Sequence, residues 1–355
     1  MDQHAVRADN VGSLLRPAYL LEARRADVPV DELRPVEDRA VEEAVAFQEA
    51  VGLPVLTDGE YRRRFFFSTV EVLYDGIDPT GFVRHHRDFD GVQHELRTPT
   101  PVARLTRRGS LVGYELDFLR RRTDRLVKVT LPCPSMFANY WTPGVSERAY
   151  PDRDAYVEHL VELMSEDAKG LAAAGADYIQ LDAPHYAYIE KVRPGVVDRD
   201  ATLRQLIALD NRVLDGLNGV ITGLHVCRGN DRSHFTGTEP YDDLAASIFP
   251  YVSAQRLLLE YDDERSGGFE PLRWARDDQV VVLGLVTTKR SDMETADEVR
   301  RRIDEASRHI PLERLALSTQ CGFGSNAEGN DITWDAQRRK LELVVEVATE
   351  VWGRA

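Results

Sequence analysis

The sequence is poor in several things, and each shortage excludes a class of protein. It has three cysteines in 355 residues. That is too few to staple a chain of this size, so Cys133, Cys227 and Cys321 read as reduced thiols or metal ligands rather than as a disulfide framework. No stretch approaches the ~20 apolar residues of a membrane span, and Met1-Asp2-Gln3-His4 lacks the charged-then-apolar order of a signal peptide. The expectation is a cytoplasmic protein with no membrane partner. Positive charge is in deficit: 45 Lys and Arg against 60 Asp and Glu leave a formal net charge of -15. A nucleic-acid partner is not expected, because phosphate contacts need a concentrated basic face. The short runs Arg62-Arg63-Arg64 and Arg120-Arg121-Arg122 read as solvated faces. No G-x-G-x-x-G or Walker-type loop follows an early strand, and no Pro/Ser-rich linker divides the chain, so neither nucleotide binding nor a second domain has support.

What is present is an alternation. Apolar, β-branched runs stop at polar or glycine-containing clusters, and segments of helical period lie between most of them, which is the pattern of a parallel α/β architecture. Strand ends fall near Val11-Gly12-Ser13, Thr57-Asp58-Gly59-Glu60, Thr130-Leu131-Pro132-Cys133, Gln180-Leu181-Asp182, His225-Val226-Cys227, Leu259-Glu260-Tyr261, Leu285-Val286-Thr287 and Thr319-Gln320-Cys321. Eight such ends predict one (β/α)8 TIM barrel over residues 1–355. Val41, Val45 and Val51 form one helical stripe before Gly52, and Tyr156, Leu160, Leu163 and Leu171 form another before Gly175; both glycines read as helix stops. The stretch from about Phe65 to Leu126 has short alternating runs and no clean helix. It reads as an insertion, in part a β-hairpin, over the barrel mouth.

The chemistry gathers at the strand ends. A period of two points His225 and Cys227 to the same side, and a barrel delivers every strand's C-terminal residues to one mouth, where Glu260 and Cys321 also arrive. Nitrogen, sulfur and oxygen donors in that combination suit tetrahedral zinc. A packed histidine and core thiols are the plain alternative, but a glutamate after Leu257-Leu258-Leu259 is costly to bury without a cation or hydrogen-bond donors. Cys133, between two prolines, reads as part of a shaped turn. Glu60 and Asp182 are two further acids at the mouth, suited either to bracing loops or to gripping an ammonium group together.

These strings, in this order, resemble the catalytic barrel of the cobalamin-independent methionine synthase family: Val11-Gly12-Ser13-Leu14, Asp58-Gly59-Glu60, Ile179-Gln180-Leu181-Asp182, His225-Val226-Cys227, Glu260 and Gln320-Cys321-Gly322-Phe323. The likeness spans nearly the whole chain and is closest to short, single-barrel relatives, in which a run such as Val281 to Lys289 is typical. The resemblance implies Zn2+ held by His225, Cys227, Glu260 and Cys321, which presents homocysteine as a thiolate to a methyl donor in methionine biosynthesis. It also implies that Glu60 and Asp182 hold the substrate ammonium, with Ser13 near its carboxylate and Trp141 stacked on a folate ring. The partners so implied are a small-molecule thiol and a donor, either methyltetrahydrofolate or a methylcorrinoid. The chain departs from the family in four ways. The second barrel of the full synthase is absent, Thr287-Thr288-Lys289 stand where a histidine acid is expected, Ala183 replaces a glutamate, and Arg228-Gly229-Asn230-Asp231 follows Cys227. Two other readings remain: a zinc-dependent alkyltransferase of the epoxyalkane:coenzyme M type, and a non-catalytic zinc- or ligand-binding barrel.

Overall fold

The computed structural model describes residues 2–87, 93–192 and 195–355. Ten strands follow in chain order: β1 (Ala8–Asp9), β2 (Val55–Leu56), β3 (Tyr74–Arg87), β4 (Gln93–Arg107), β5 (Leu126–Pro132), β6 (Tyr178–Asp182), β7 (Ile221–Val226), β8 (Arg256–Glu260), β9 (Val280–Val286) and β10 (Leu315–Thr319). Eight of them form one sheet in the order β1-β10-β9-β8-β7-β6-β5-β2, parallel at every pairing. The seam between β1 and β2 is bridged just beyond their ends. There the Leu14 N–H donates to the Gly59 carbonyl at 3.1 Å and Thr57 Oγ1 donates to the Gly12 carbonyl at 2.6 Å. The result is the TIM barrel read from the sequence, with all eight strand ends where the apolar runs stop.

Strands β6 to β10 are buried along their whole length. Burial on both faces is what a parallel sheet jacketed by helices imposes, and it explains why these strands read as continuous apolar runs. The helix Val30–Val51 ends at Gly52, whose φ of 93° a side chain would resist, and Gly175 (φ 92°) turns the chain just after the helix Arg153–Ala173. Among the described residues no helix is long and apolar enough to cross a membrane.

The insertion between β2 and β5 contains the antiparallel hairpin β3–β4. Of the first arginine run, however, only Arg64 is solvated; Arg62 and Arg63 are both buried. Arg62 pairs with Asp38 at 2.7 Å and Arg63 with Glu115 at 2.6 Å. A guanidinium can be buried only where carboxylates and carbonyls take up its fork of donors, and here partners distant in sequence do so.

Charge also lies inside the barrel. Asp9 accepts from Lys128 Nζ at 2.7 Å and from Arg256 at 3.3 Å, all three side chains being fully buried. Lys128 also donates to Gln180 Oε1 at 3.0 Å, and Gln180 Nε2 donates to Asp182 Oδ1 at 2.8 Å. Removing one member of such a network would leave an unpaired buried charge, so the network holds the layer below the mouth in one arrangement.

Candidate metal centre and acceptor pocket

Three strand ends build a compact donor cluster. His225 lies in β7 and Cys227 just past it, Glu260 is the last residue of β8, and Cys321 lies two residues beyond β10. One ligand atom from each falls within 4.8 Å of all the others, and all four residues are buried. His225 Nδ1 is 3.2 Å from the Leu258 carbonyl, which can only accept, so Nδ1 carries the proton. Nε2 is therefore the nitrogen turned toward the cluster, where a metal ion would take the place of its proton. The sulfurs of Cys227 and Cys321 are 3.8 Å apart. A tetrahedral ion with metal–sulfur bonds of about 2.3 Å spaces two sulfurs by about 3.8 Å, so the pair already stands at ligand distance.

The electrostatics point the same way. Cys321 is held well below the ordinary thiol range by the hydrogen bond from Cys227 and by neighbouring His225, whereas that same bond and burial raise Cys227 well above it. One proton is thus divided between two sulfurs, the condition in which a cation displaces protons readily. Burial alone would depress the His225 imidazolium, but hydrogen bonding and charge from Cys321 outweigh it and bring the group to about 9. Burial pushes the Glu260 carboxyl up, against the pull of Lys289. Glu260 Oε1 accepts the Arg228 backbone N–H at 2.6 Å, and Oε2 lies 3.7 Å from Lys289 Nζ. Lys289 also donates to Asp262 at 3.0 Å. Where the family resemblance anticipates a histidine acid, this chain has a lysine engaged by two carboxylates.

A cavity of about 1870 Å³ opens above the cluster, between the barrel mouth and the insertion. His225, Cys227 and Cys321 reach it, together with Ser13, Glu60 and Asp182 and with Phe65, Phe66 and Phe67 of the insertion. Burial raises Asp182 to about 7, opposed by His225 and reinforced by repulsion from Glu60. Glu60 is also raised by burial, opposed by Arg63. Ser13 packs against bare backbone: a Cβ on Gly322 would meet its Oγ at 2.0 Å. Trp141 is not among the described residues lining the cavity; its indole N–H donates to the Tyr150 carbonyl at 3.2 Å. Tyr140 lines the cavity instead.

Two sets of neighbours were not legible in the sequence. Arg228 and Lys289 brace Glu260, and Arg63, Thr130 and Glu115 surround Glu60. The one available signal was an arginine run one residue beyond Asp58-Gly59-Glu60, after Tyr61.

Comparison with known proteins gives the family and the fold. The protein YxjG of Bacillus subtilis, described only as uncharacterized, is 36% identical, covering 98% of this chain and 94% of its own. A methionine synthase of Pyrococcus abyssi is 24% identical over 88% of this chain and 85% of its own. The structure of a B12-independent methionine synthase from Shewanella sp. W3-18-1, in complex with selenomethionine, superposes with a TM-score of 0.77 at 23% identity, covering 98% of each chain, and shows the shared fold. The family model described as cobalamin-independent synthase, catalytic domain, matches residues 21–350, and the chain belongs to that family.

Proposed function

We propose that this chain is a zinc-dependent S-methyltransferase that methylates a thiol, with homocysteine as acceptor, methionine as product and methyltetrahydrofolate or a methylcorrinoid as donor. The observation that carries the reading is the convergence of four buried donor atoms within 4.8 Å of one another, two of them sulfurs 3.8 Å apart. His225, Cys227, Glu260 and Cys321 would hold the ion, which supplies the Lewis acidity that brings an added thiol below its free value of about 8.5.

The remaining work belongs to the chain's own side chains. Arg228 N–H and Lys289 fix the Glu260 carboxylate. Glu60 and Asp182 offer buried carboxylate oxygens to the acceptor's ammonium group, and Ser13 lies on the same wall near the place for its carboxylate. Phe65, Phe66 and Phe67 give the same cavity an apolar wall. Displacement at a methyl carbon needs the donor, methyl group and sulfur in line, so most of the acceleration in this reading comes from positioning and thiolate activation.

The test is metal analysis followed by a screen of homocysteine and coenzyme M against methyl and epoxide donors, read by mass spectrometry. The expected result is zinc and methionine. Product from coenzyme M alone, whose sulfonate two buried acids would repel, would favour the alkyltransferase reading. A loaded metal whose surroundings no thiol changes would favour a non-catalytic barrel.

A further inference from the structure

The acid proposed to grip the acceptor is held by the inserted segment as well as by the barrel. Glu60 sits at a φ of 58° in the turn after β2, with its side chain buried. Its Oε1 accepts from Thr130 Oγ1 at 2.7 Å, while Oε2 has no hydrogen-bond partner among the described residues. Gly12 leaves the room: a Cβ there would come within 2.9 Å of Oε1.

The nearest cation is Arg63, with Nη1 3.7 Å from Glu60 Oε1. It does not close on Glu60, because its donors are committed elsewhere. Nε and Nη2 hold Glu115 at 2.8 and 2.6 Å, and Nη1 and Nη2 reach Thr130 Oγ1 and its carbonyl at 2.9 and 2.7 Å. Glu115 comes from the helical turn Val112–Leu116, inside the insertion. A fully buried guanidinium this near a carboxylate, with no other acid to hold it, would form the bidentate pair and occupy both Glu60 oxygens.

We propose that Glu115 is a positioning residue for acceptor recognition: by engaging Arg63 through two hydrogen bonds, it keeps that cation beside Glu60 while leaving one Glu60 oxygen free for the ammonium group of an amino-thiol. The proposal rests on the acceptor reading given above. The geometry favours a hydrogen-bond donor as ligand, since the buried Glu60 Oε2 has no hydrogen-bond partner among the described residues while Arg63 is engaged by Glu115 and Thr130. Burial raises Glu115 and Asp182 to about 7, so both titrate in the same range around Glu60, with His225 the cation facing Asp182. Arg16 is itself spent on the carbonyls of Glu60, Arg63, Gly324 and Asn326.

The experiment compares L-homocysteine with its des-amino counterpart, 4-mercaptobutyrate, by calorimetry on the metal-loaded protein across the neutral pH range. Taking the ratio of the two affinities removes the titration of the thiol. The wild type is expected to prefer the amino-thiol, with the preference lost at low pH. Glu115→Gln should lose about tenfold of the preference, because Arg63 then closes on Glu60, and its acid limb should move to lower pH. Arg63→Met should lose a similar amount, but with the acid limb at higher pH, because Glu60 has lost its cation. Arg63→Lys should stay near wild type. Limbs that move in opposite directions are not what a general loosening of the fold produces.

Wild-type preference retained in Glu115→Gln, or both limbs moving the same way, would overturn the proposal. Should Glu115→Gln lose its metal or its cooperative melting, the arginine pair decides: the limb must rise in Arg63→Met and stay in Arg63→Lys. If the wild type itself shows no preference for the amino-thiol, the acceptor reading fails. If Glu60→Gln abolishes a wild-type preference that Glu115→Gln keeps, this proposal alone fails.

Discussion

The two halves of the barrel mouth are built by different means. On the β7, β8 and β10 side, His225, Cys227, Glu260 and Cys321 stand at or next to strand ends, and the parallel ladder places their ligand atoms within 4.8 Å of one another. On the β2 and β6 side, Asp182 is aimed by a chain of contacts from Lys128 through Gln180, and Glu60 by Arg63 and Thr130. Asp182 closes β6 as Glu260 closes β8, so strand pairing places residues in both halves; the difference is that Glu60 lies beyond its strand, in a turn, and is held by the side chains of Arg63 and Thr130. Strand pairing sets where the donor atoms of the metal half stand, whereas the position of Glu60 depends on a polar network with partners distant in sequence.

That contrast can be broken at either end. The largest expected effect is on the metal: Cys227→Ser and Cys321→Ser should each lose most of about one zinc per chain, because each removes a thiolate from a four-donor set. Elemental analysis showing both variants fully loaded would refute the ligand assignment. Next come Glu60→Gln and Asp182→Asn, which should weaken homocysteine binding by about 1.5–3 kcal/mol each while leaving zinc near wild type. Unchanged affinity in both, measured by calorimetry, would dissociate the carboxylate half from acceptor binding.

A pH titration sharpens the same point. Glu60 and Asp182 are both raised, Asp182 to about 7, and only the ionised forms attract an ammonium. Amino-thiol preference should therefore be present above neutrality and fall as pH drops through about 7, and a preference that grows on acidification would contradict it. The smallest effect concerns the donor. Trp141 is turned to the Tyr150 carbonyl and is not among the described residues lining the cavity, so free methyltetrahydrofolate should turn over more slowly than methylcobalamin. Side-by-side initial rates decide, and a clear folate preference would show a competent folate site in one barrel.

The strand half was legible in the sequence because period-two alternation and abrupt ends to apolar runs are local signals. They placed His225 and Cys227 on one face and brought Glu260 and Cys321 to the same mouth. The carboxylate half was legible only as residue names. Nothing local tells that Arg63 is buried, since its partner Glu115 lies in a separate part of the insertion and meets it only in the folded chain. For the same reason the arginine run read as solvated, and Lys289 gave no sign that Asp262 and Glu260 would engage it. Trp141 was placed by resemblance alone, and the structure brings Tyr140 to the cavity instead.

The central claim, that this cluster binds zinc and takes up the acceptor's sulfur, is tested most directly by zinc-edge X-ray absorption of the loaded protein with and without L-homocysteine. The account predicts two sulfur neighbours, from Cys227 and Cys321, rising to three when the thiol is added. A count that stays at two with saturating thiol, or a site without sulfur, would contradict it.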